Sequence, residues 1–142
     1  MKYLLISDSH GLLTELGNLK AKYQDYEILH AGDFTIPSDY LDKLGIKYVA
    51  GNCDKEGAKE LILKTSAGVI YMTHGDRYQV KFGLNRLYYR SLEVNATYVI
   101  FGHTHSPLIL KEGDITFLNP GSLKDTKTYI LLEYGKASIG HL

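Results

Sequence analysis

Residues 3–11 read YLLISDSHG, a short apolar run that ends in a carboxylate, a histidine and a glycine. Four further apolar runs are each followed by a polar segment that contains glycine: YEILHA (26–31) before GD, IKYVA (46–50) before GNCD, VIYMT (69–73) before HGD, and YVIF (98–101) before GHTH. Short runs rich in Ile, Val and Tyr are typical of buried strands. We therefore predict five strands, each with polar residues at its carboxyl end.

Segments with a helical period separate some of these runs. Apolar residues recur on one stripe over 12–23 and again over 84–92. Strand, helix, strand is the order of a mostly parallel sheet. After about residue 105 the chain changes to apolar runs closed by Gly and Asp turns, which are typical of antiparallel strands. The sequence predicts an α/β fold of two packed, mixed β-sheets flanked by helices, with the later sheet largely antiparallel.

The composition indicates one domain over residues 1–142, because 44% of the residues are apolar and can form a core. Lys plus Arg and Asp plus Glu both number 16, so no overall charge draws the protein to a membrane or to long nucleic acid. Cys53 is the only cysteine, which excludes an intramolecular disulfide. No secretion signal or bilayer-spanning stretch is recognisable, so we expect a cytoplasmic protein with no membrane partner.

Metal-binding side chains stand at or next to the predicted strand ends. They are Asp8, His10, Asp33, Asn52, His74, His103 and His105. Ligands bind outside the carboxyl ends of strands in open α/β sheets, so these segments can meet at one point. Imidazole and carboxylate together suit divalent transition metals better than calcium or magnesium. Seven donors suit two ions that share a carboxylate. The two carboxylates offset two of the four positive charges of two divalent ions, which leaves a formal excess of two positive charges for an anionic substrate such as a phosphate ester.

Simpler structural roles stay open for several residues. Asp8 could cap the first predicted helix, and His103 and His105 could be turn residues in a glycine-rich loop. Asn52 follows a glycine, and Gly-Asn is common in turns, so Asn52 is predicted to be a ligand only because the other motifs accompany it. We interpret His30, inside a strand, as a packed or hydrogen-bonded structural histidine.

The motifs D-x-H, GD, GNxD, H and GHTH, in this order and at this spacing, closely resemble the calcineurin-like metallophosphoesterases. The small size is similar to that of their YfcE-type single-domain members. The resemblance runs from Asp8 to NPGS at 119–122 and so covers most of the chain. It implies a metallophosphoesterase-type αββα sandwich.

The resemblance also implies roles for the predicted ligands. It assigns them to two ions: Asp8, His10 and His105 to one, Asn52, His74 and His103 to the other, and Asp33 to both. In such families a hydroxide between the metals attacks phosphorus in line, and Asp33, Asn52 and His74 serve catalysis by holding metal and substrate. We expect two divalent ions, with Mn, Ni, Fe and Zn as the candidates, because ligand identity alone does not select among them.

The chain departs from the family pattern at a few positions. Many relatives have His in place of Cys53, and in them that imidazole protonates the leaving alkoxide; YfcE-type members share the GNCD form. A thiol with a pKa of about 8.5 is a poorer proton donor at neutral pH, so we expect a bias toward good leaving groups. We place Asp54 behind the ligands or beside the substrate, where it could also serve catalysis. Relatives often carry His in place of Asp76, and Arg shortly after NPGS, where this chain reads LKD (123–125).

We expect a hydrolase, a phosphodiesterase or phosphatase that acts on a small or exposed phosphate ester, since 142 residues leave little room for a capping domain. The alternative is a metal-binding scaffold or protein-interaction subunit, like the retromer subunit of the same fold family. A nuclease that works along DNA or RNA would need a basic track, which the neutral composition does not indicate. A small phosphate ester is the predicted partner, and a homodimer is the default assembly.

Overall fold

The structure, a computed structural model, describes residues 1–142. Its strands are β1 (Lys2–Ile6), β2 (Glu27–His30), β3 (Lys47–Tyr48), β4 (Glu60–Thr65), β5 (Gly68–Thr73), β6 (Tyr98–Ile100), β7 (Leu108–Glu112), β8 (Ile115–Asn119), β9 (Thr128–Glu133) and β10 (Lys136–His141). Its α-helices are α1 (Leu13–Lys22), α2 (Ser38–Lys43) and α3 (Asn85–Glu93). The five predicted strands correspond to β1, β2, β3, β5 and β6, and the two predicted helical periods to α1 and α3.

The strands form two five-stranded sheets, β10-β9-β1-β2-β3 and β4-β5-β6-β8-β7. In the first, β1, β2 and β3 are parallel and β9 and β10 are antiparallel to their neighbours. In the second, β5, β6 and β8 are parallel, with β4 and β7 antiparallel at the edges. The predicted α/β fold of two packed mixed sheets is confirmed. The expectation that the later sheet is largely antiparallel is wrong, because β9 and β10 return to extend the first sheet.

Strand β1 is buried on both faces, which explains its unbroken apolar run. Tyr3 and Leu5 pack in the core between the two sheets, together with side chains of β5 and β6. Leu4 and Ile6 point the other way and pack against Leu16 of α1. A strand covered on both faces has no need for alternating polar residues. Helix α3 covers the outer face of the second sheet in the same way, so the layers follow the order helix, sheet, sheet, helix.

Three elements, α2, β4 and β10, fall outside the predicted set, and β10 is a largely exposed edge strand. Helix α2 has only six residues, too few for a helical period to show in the sequence. Strand β4 is an edge strand whose side chains are all at least partly exposed, as with Ile62, so it lacks the apolar pattern of the buried strands. No helix has the length and apolar character required to cross a membrane.

The loops after the parallel strands are joined by backbone hydrogen bonds. The Asp8 N–H donates to the carbonyl of Gly32 at 2.9 Å, and the His10 N–H donates to that of Asp33 at 3.0 Å. Within the second sheet the Gly102 N–H donates to the carbonyl of His74 at 2.9 Å, and the His103 N–H joins the two sheets by donating to Asp8 Oδ2 at 3.1 Å. The carboxyl ends of strands from both sheets therefore meet in one place, as the sequence predicted.

Candidate metal centre

Asp8 lies at the end of β1 and is fully buried. Its Oδ2 accepts hydrogen bonds from the Ser7 hydroxyl at 2.5 Å and from the His103 N–H at 3.1 Å. Its Oδ1 has no hydrogen-bond partner and lies 3.1 Å from His105 Nε2, 3.8 Å from His74 Nε2 and 4.0 Å from His10 Nε2. Helix α1 begins after it without a side-chain cap, so Asp8 is not a helix-capping residue.

The two carboxylate oxygens of Asp33 have different neighbours, as those of Asp8 do. Its Oδ1 accepts a hydrogen bond from the Cys53 N–H at 2.9 Å, while Oδ2 lies 3.2 Å from His74 Nε2 and 4.0 Å from His10 Nε2. Burial alone opposes its ionisation, but His74 and the Cys53 N–H outweigh this and hold the pKa of Asp33 well below its ordinary value. Each aspartate is thus fixed by one oxygen and presents the other to the histidines.

His74 follows β5 and is almost completely buried. Its Nδ1 donates to the carbonyl of Ala31 at 2.8 Å, so in the neutral ring, the form that binds a metal, the lone pair is on Nε2. That Nε2 is buried and has no hydrogen-bond partner. Buried polar atoms without partners are costly and rare, so the pairing of Asp8 Oδ1 with His74 Nε2 calls for a cation between them. The donor set of this centre therefore fits divalent metal ions.

The ligating atoms form overlapping groups, each within 4.8 Å. One contains Asp8, His10 and His105, and another contains Asp8, Asp33 and His74. Five of the seven predicted ligands therefore lie together, in two groups that share a carboxylate. The carboxylate common to both groups is that of Asp8, whereas the resemblance gives the shared position to Asp33, so the division of the ligands between two ions stays a prediction.

The other two predicted ligands are close to these groups but turned differently. Asn52 is exposed, and its Nδ2 donates to Cys53 Sγ at 3.6 Å. The ring of His103 packs against that of His74 with centroids 5.1 Å apart, and its nitrogens lie outside the two groups. Burial and the neighbouring His74 lower the pKa of His103, which keeps its imidazole neutral and able to bind a metal.

Backbone strain concentrates at this centre. Eleven residues other than glycine have a positive φ, and five of them are predicted ligands: Asp8, His10, Asp33, His103 and His105. Such residues carry a conformational cost of about 1–3 kcal/mol each and cluster at functional sites. The strain supports a functional role for these loops rather than a purely structural one.

Two motif glycines allow the loops to approach each other. A Cβ on Gly51 would lie 2.1 Å from Asp33 Oδ1, and one on Gly102 would lie 2.1 Å from Ser7 Oγ and 2.6 Å from Asp8 Oδ2. All three distances are too short for a nonbonded contact, so a side chain at either glycine would displace Asp33, or Ser7 and Asp8. The glycines in GNCD and GHTH thus keep the two carboxylates in position.

The comparison with known protein families agrees with this geometry. The model of the calcineurin-like phosphoesterase superfamily domain matches residues 1–137. The chain belongs to the calcineurin-like phosphoesterase superfamily. The probable metallophosphoesterase YsnB of Bacillus subtilis is 34% identical over 143 residues, which cover 93% of this chain and 83% of YsnB.

Solved structures show the same fold. An archaeal phosphodiesterase superposes with a TM-score of 0.80 at 21% identity over all of both chains. The phosphoesterase YfcE of E. coli gives 0.73 at 24%, covering 97% of this chain and 91% of YfcE. Vps29 of Entamoeba histolytica, complexed with Zn²⁺, gives 0.79 at 20%, covering 100% and 98%. The predicted resemblance to the calcineurin-like phosphoesterases is confirmed, and YfcE shares the fold.

In this phosphoesterase domain the carboxylate of Asp54 binds backbone N–H groups rather than a substrate. Its carboxylate accepts hydrogen bonds from the N–H groups of Asp33 at 2.6 Å, Gly51 at 2.8 Å and Thr35 at 2.9 Å. These contacts fix the loops after β2 and β3 to each other. Asp54 is therefore a positioning residue behind the ligands, the first of the two places expected for it.

Cys53 is exposed, contrary to the usual burial of a lone cysteine. Its Sγ forms a third group with ligating atoms of His10 and Asp33 within 4.8 Å. Partial shielding of the thiol from water by the surrounding loops and the neighbouring carboxylate of Asp33 raise its pKa, so it is protonated at neutral pH. The thiol stands at the edge of the phosphoesterase centre, facing solvent.

His30 and the NPGS segment support the centre from behind. The Gly32 N–H donates to His30 Nδ1 at 3.0 Å, so Nε2 carries the proton and donates to Ser9 Oγ at 2.8 Å. Burial lowers the pKa of His30 to about 3. The Ser122 hydroxyl donates to the carbonyl of Asp8 at 2.8 Å. His30 is thus a structural histidine, as predicted, and NPGS anchors the Asp8 loop.

Asp125 is a site residue that sequence reasoning did not identify. Its Oδ2 lies 2.6 Å from His105 Nδ1, which leaves the lone pair of His105 on Nε2, facing Asp8. A carboxylate behind a ligating histidine fixes the tautomer and raises the basicity of the ring. No motif or spacing marks this pairing, because Asp125 is 20 residues from His105 and on a separate loop.

Asp125→Ala is expected to weaken metal binding at the Asp8, His10 and His105 group by about 10- to 100-fold, the usual effect of removing such an outer partner. Isothermal titration of the metal-free protein with Mn²⁺ measures this directly. Asp114→Ala is the matched control, because Asp114 is an exposed carboxylate in the β7–β8 turn. Equal affinities for the wild type and the Asp125 variant would contradict the role assigned to Asp125.

Proposed function

We propose that the chain is a metal-dependent phosphodiesterase whose centre holds two divalent cations. The observation that carries this proposal is the buried pair of unpartnered atoms, Asp8 Oδ1 and His74 Nε2, at the middle of the ligand groups. Burial of such atoms is costly, and a bound divalent cation would offset that cost. The superfamily to which the chain belongs supplies the reaction class.

The two ions would be bound by different sets of residues. Asp8, His10 and His105 would bind one ion and Asp33 both, while His74 would bind the second with His103 and Asn52. Asn52 is exposed and free to turn from Cys53 toward this ion. When bound, such ions lower the pKa of water and offset charge on phosphoryl oxygens. Mn, Ni, Fe and Zn are the candidate ions.

The chain itself holds the ligating carboxylates in fixed orientations. The Ser7 hydroxyl and the His103 N–H hold Asp8, and the Cys53 N–H holds Asp33, before any substrate arrives. Positions fixed in advance cost no reorganisation during the reaction. The side chains of His10 and His105 are 24% and 33% exposed, so the centre is open to a small or protruding phosphate ester. The zero net charge gives no support to a nuclease that follows long nucleic acid.

A scaffold function is the second candidate, since Vps29 shares the fold. The phosphodiesterase is favoured because every predicted ligand position is filled and two of the ligand atoms are buried without protein partners. The similarity to the archaeal phosphodiesterase further supports this choice.

A metal-reconstituted assay tests the proposal with matched aryl phosphodiester and phosphomonoester substrates. We expect turnover with at least one of manganese, nickel, zinc or iron, and a kcat/KM for the diester at least about tenfold higher, which is ~1.4 kcal/mol of discrimination. The reason is charge: with Asp8 and Asp33, the carboxylate of Asp125 at the edge of the centre reduces the formal excess of two divalent ions to one positive charge, which matches the diester monoanion rather than the monoester dianion. No turnover with any of the four metals would refute the enzyme, and elemental analysis that finds a single ion would refute the dinuclear centre.

A further inference from the structure

The outer face of α3 and the turn before it expose large apolar side chains. Phe82 is 91% exposed and Tyr89 66% exposed, and Leu92 is also exposed. Tyr89 lines a groove of about 410 Å³ between α3 and the β7–β8 hairpin, and Leu110 and Phe117 form part of its lining. Single exposed apolar residues are ordinary, but several of them beside an apolar groove are typical of a surface that another molecule covers.

The charged residues on this face stand in an unfavourable order along the helix. Arg86 lies in the first turn of α3, and Glu93 is its last residue. A helix carries a partial positive charge at its N-terminal end and a partial negative charge at its C-terminal end, so each side chain stands at the end that disfavours it. Glu93 has a single ion pair, at 3.8 Å with Arg90, and Arg90 is already held by Glu60 at 2.7 Å. Both charges are therefore poorly placed in the single chain.

An antiparallel copy of the same helix would reverse this disadvantage. Arg86, Tyr89 and Glu93 lie along one side of α3, because residues three and four positions apart are neighbours on a helix surface. Leu87 and Ser91, on the other side, are buried. A twofold axis near Tyr89 would place Arg86 opposite Glu93 of the second copy and Glu93 opposite its Arg86. The exposed face of α3 is thus complementary to itself in charge.

We propose that the outer face of α3 is a dimer interface, and that a second copy of this chain packs antiparallel across Tyr89. Aromatic and arginine side chains are enriched in protein interfaces. Phe82 and Tyr89 would supply the apolar contact, while Arg86 and Glu93 would set the direction of the second helix. The face covers the outer side of the second sheet, so the inference does not depend on the proposed phosphodiesterase function.

Sedimentation velocity at concentrations of about 1 to 100 μM measures the assembly, and we expect the native chain to form a reversible dimer in this range. Arg86→Glu turns both charge pairs across the axis into repulsive ones, and Glu93→Arg does the same. Each substitution is therefore expected to raise the dimer Kd about tenfold or more. Lys136→Glu is the matched control, because it makes the same charge change at an exposed position of β10 in the other sheet.

Combining the two substitutions tests the antiparallel arrangement. The double variant Arg86→Glu/Glu93→Arg exchanges the charges, so its Kd should return to within about threefold of the native value. An equimolar mixture of the two single variants should form a mixed dimer, because every pair across the axis is then opposite in charge. Recovery of the dimer also shows that the single variants were folded, which circular dichroism checks independently.

A native chain that stays monomeric over the whole range would overturn the proposal and leave the face to a different protein. A dimer whose Kd changes with neither single substitution, or changes as much with Lys136→Glu, would place the interface elsewhere on the chain. Loss of the dimer in both single variants, with no recovery in the double variant or in the mixture, would overturn the antiparallel pairing of Arg86 with Glu93.

Discussion

Asp33→Asn is expected to lower kcat/KM for an aryl phosphodiester by about a thousandfold or more, which is ~4 kcal/mol of transition-state stabilisation. Asp33 is the carboxylate proposed to bind both ions, and its Oδ2 faces His74 and His10 across 3.2 and 4.0 Å. An amide has the same shape but no charge, so it ligates a divalent cation far more weakly. Loss of the shared ligand should remove at least one ion as well as activity.

The folded chain should survive this substitution. The amide oxygen of asparagine can still accept the hydrogen bond that Cys53 N–H now donates to Asp33 Oδ1. Circular dichroism and the midpoint of thermal unfolding without metal check the fold, and elemental analysis after reconstitution counts the ions. Asp39→Asn, an exposed carboxylate on α2, is the control. A variant at Asp33 that keeps two ions and turns over within tenfold of the wild type would exclude Asp33 as the shared ligand.

The strands that carry the centre were predictable because they are the most buried parts of the fold. β1, β2, β5 and β6 are covered on both sides, which produces unbroken apolar runs that end at the loops of the candidate metal centre. Their polar ends had to meet once the strands were parallel. The ligand groups around Asp8 and Asp33 could therefore be expected from residue types and order alone.

Features that depend on long-range pairing were not predictable. The return of β9 to β1, with Leu131 opposite Leu4, is decided by packing between segments over 120 residues apart. The same applies to Asp125, whose role arises from the contact with His105 and not from any local pattern. Asp54 carried a motif signal, but only the structure shows that its carboxylate binds backbone N–H groups. Sequence indicates which residues carry chemistry more readily than it indicates where they point.

Cys53→His is expected to raise turnover of diesters with poor leaving groups by about a hundredfold, which is the usual effect of adding a general acid. The thiol of Cys53 is a weaker acid than an imidazolium, so the native centre has no strong proton donor at its solvent-facing edge. The natural enzyme should then depend on alcohols that leave without protonation. Its exposed position gives an imidazole room to enter without disturbing the core.

The dependence of kcat on leaving-group pKa measures this across a series of aryl methyl phosphates. The native protein should give a steep negative slope, and Cys53→His a shallow one, because a proton delivered in the transition state offsets the basicity of the alcohol. Cys53→Ser removes the thiol without adding an imidazole, so it separates the effect of a new acid from the effect of losing the thiol. This variant should keep the steep slope. Ion content must be equal in all three proteins, since an imidazole near His10 and Asp33 can also bind metal. Equal slopes for the native protein and Cys53→His, at equal ion content and with chemistry rate-limiting, would show that leaving-group protonation does not limit this centre and that Cys53 does not determine the choice of substrate.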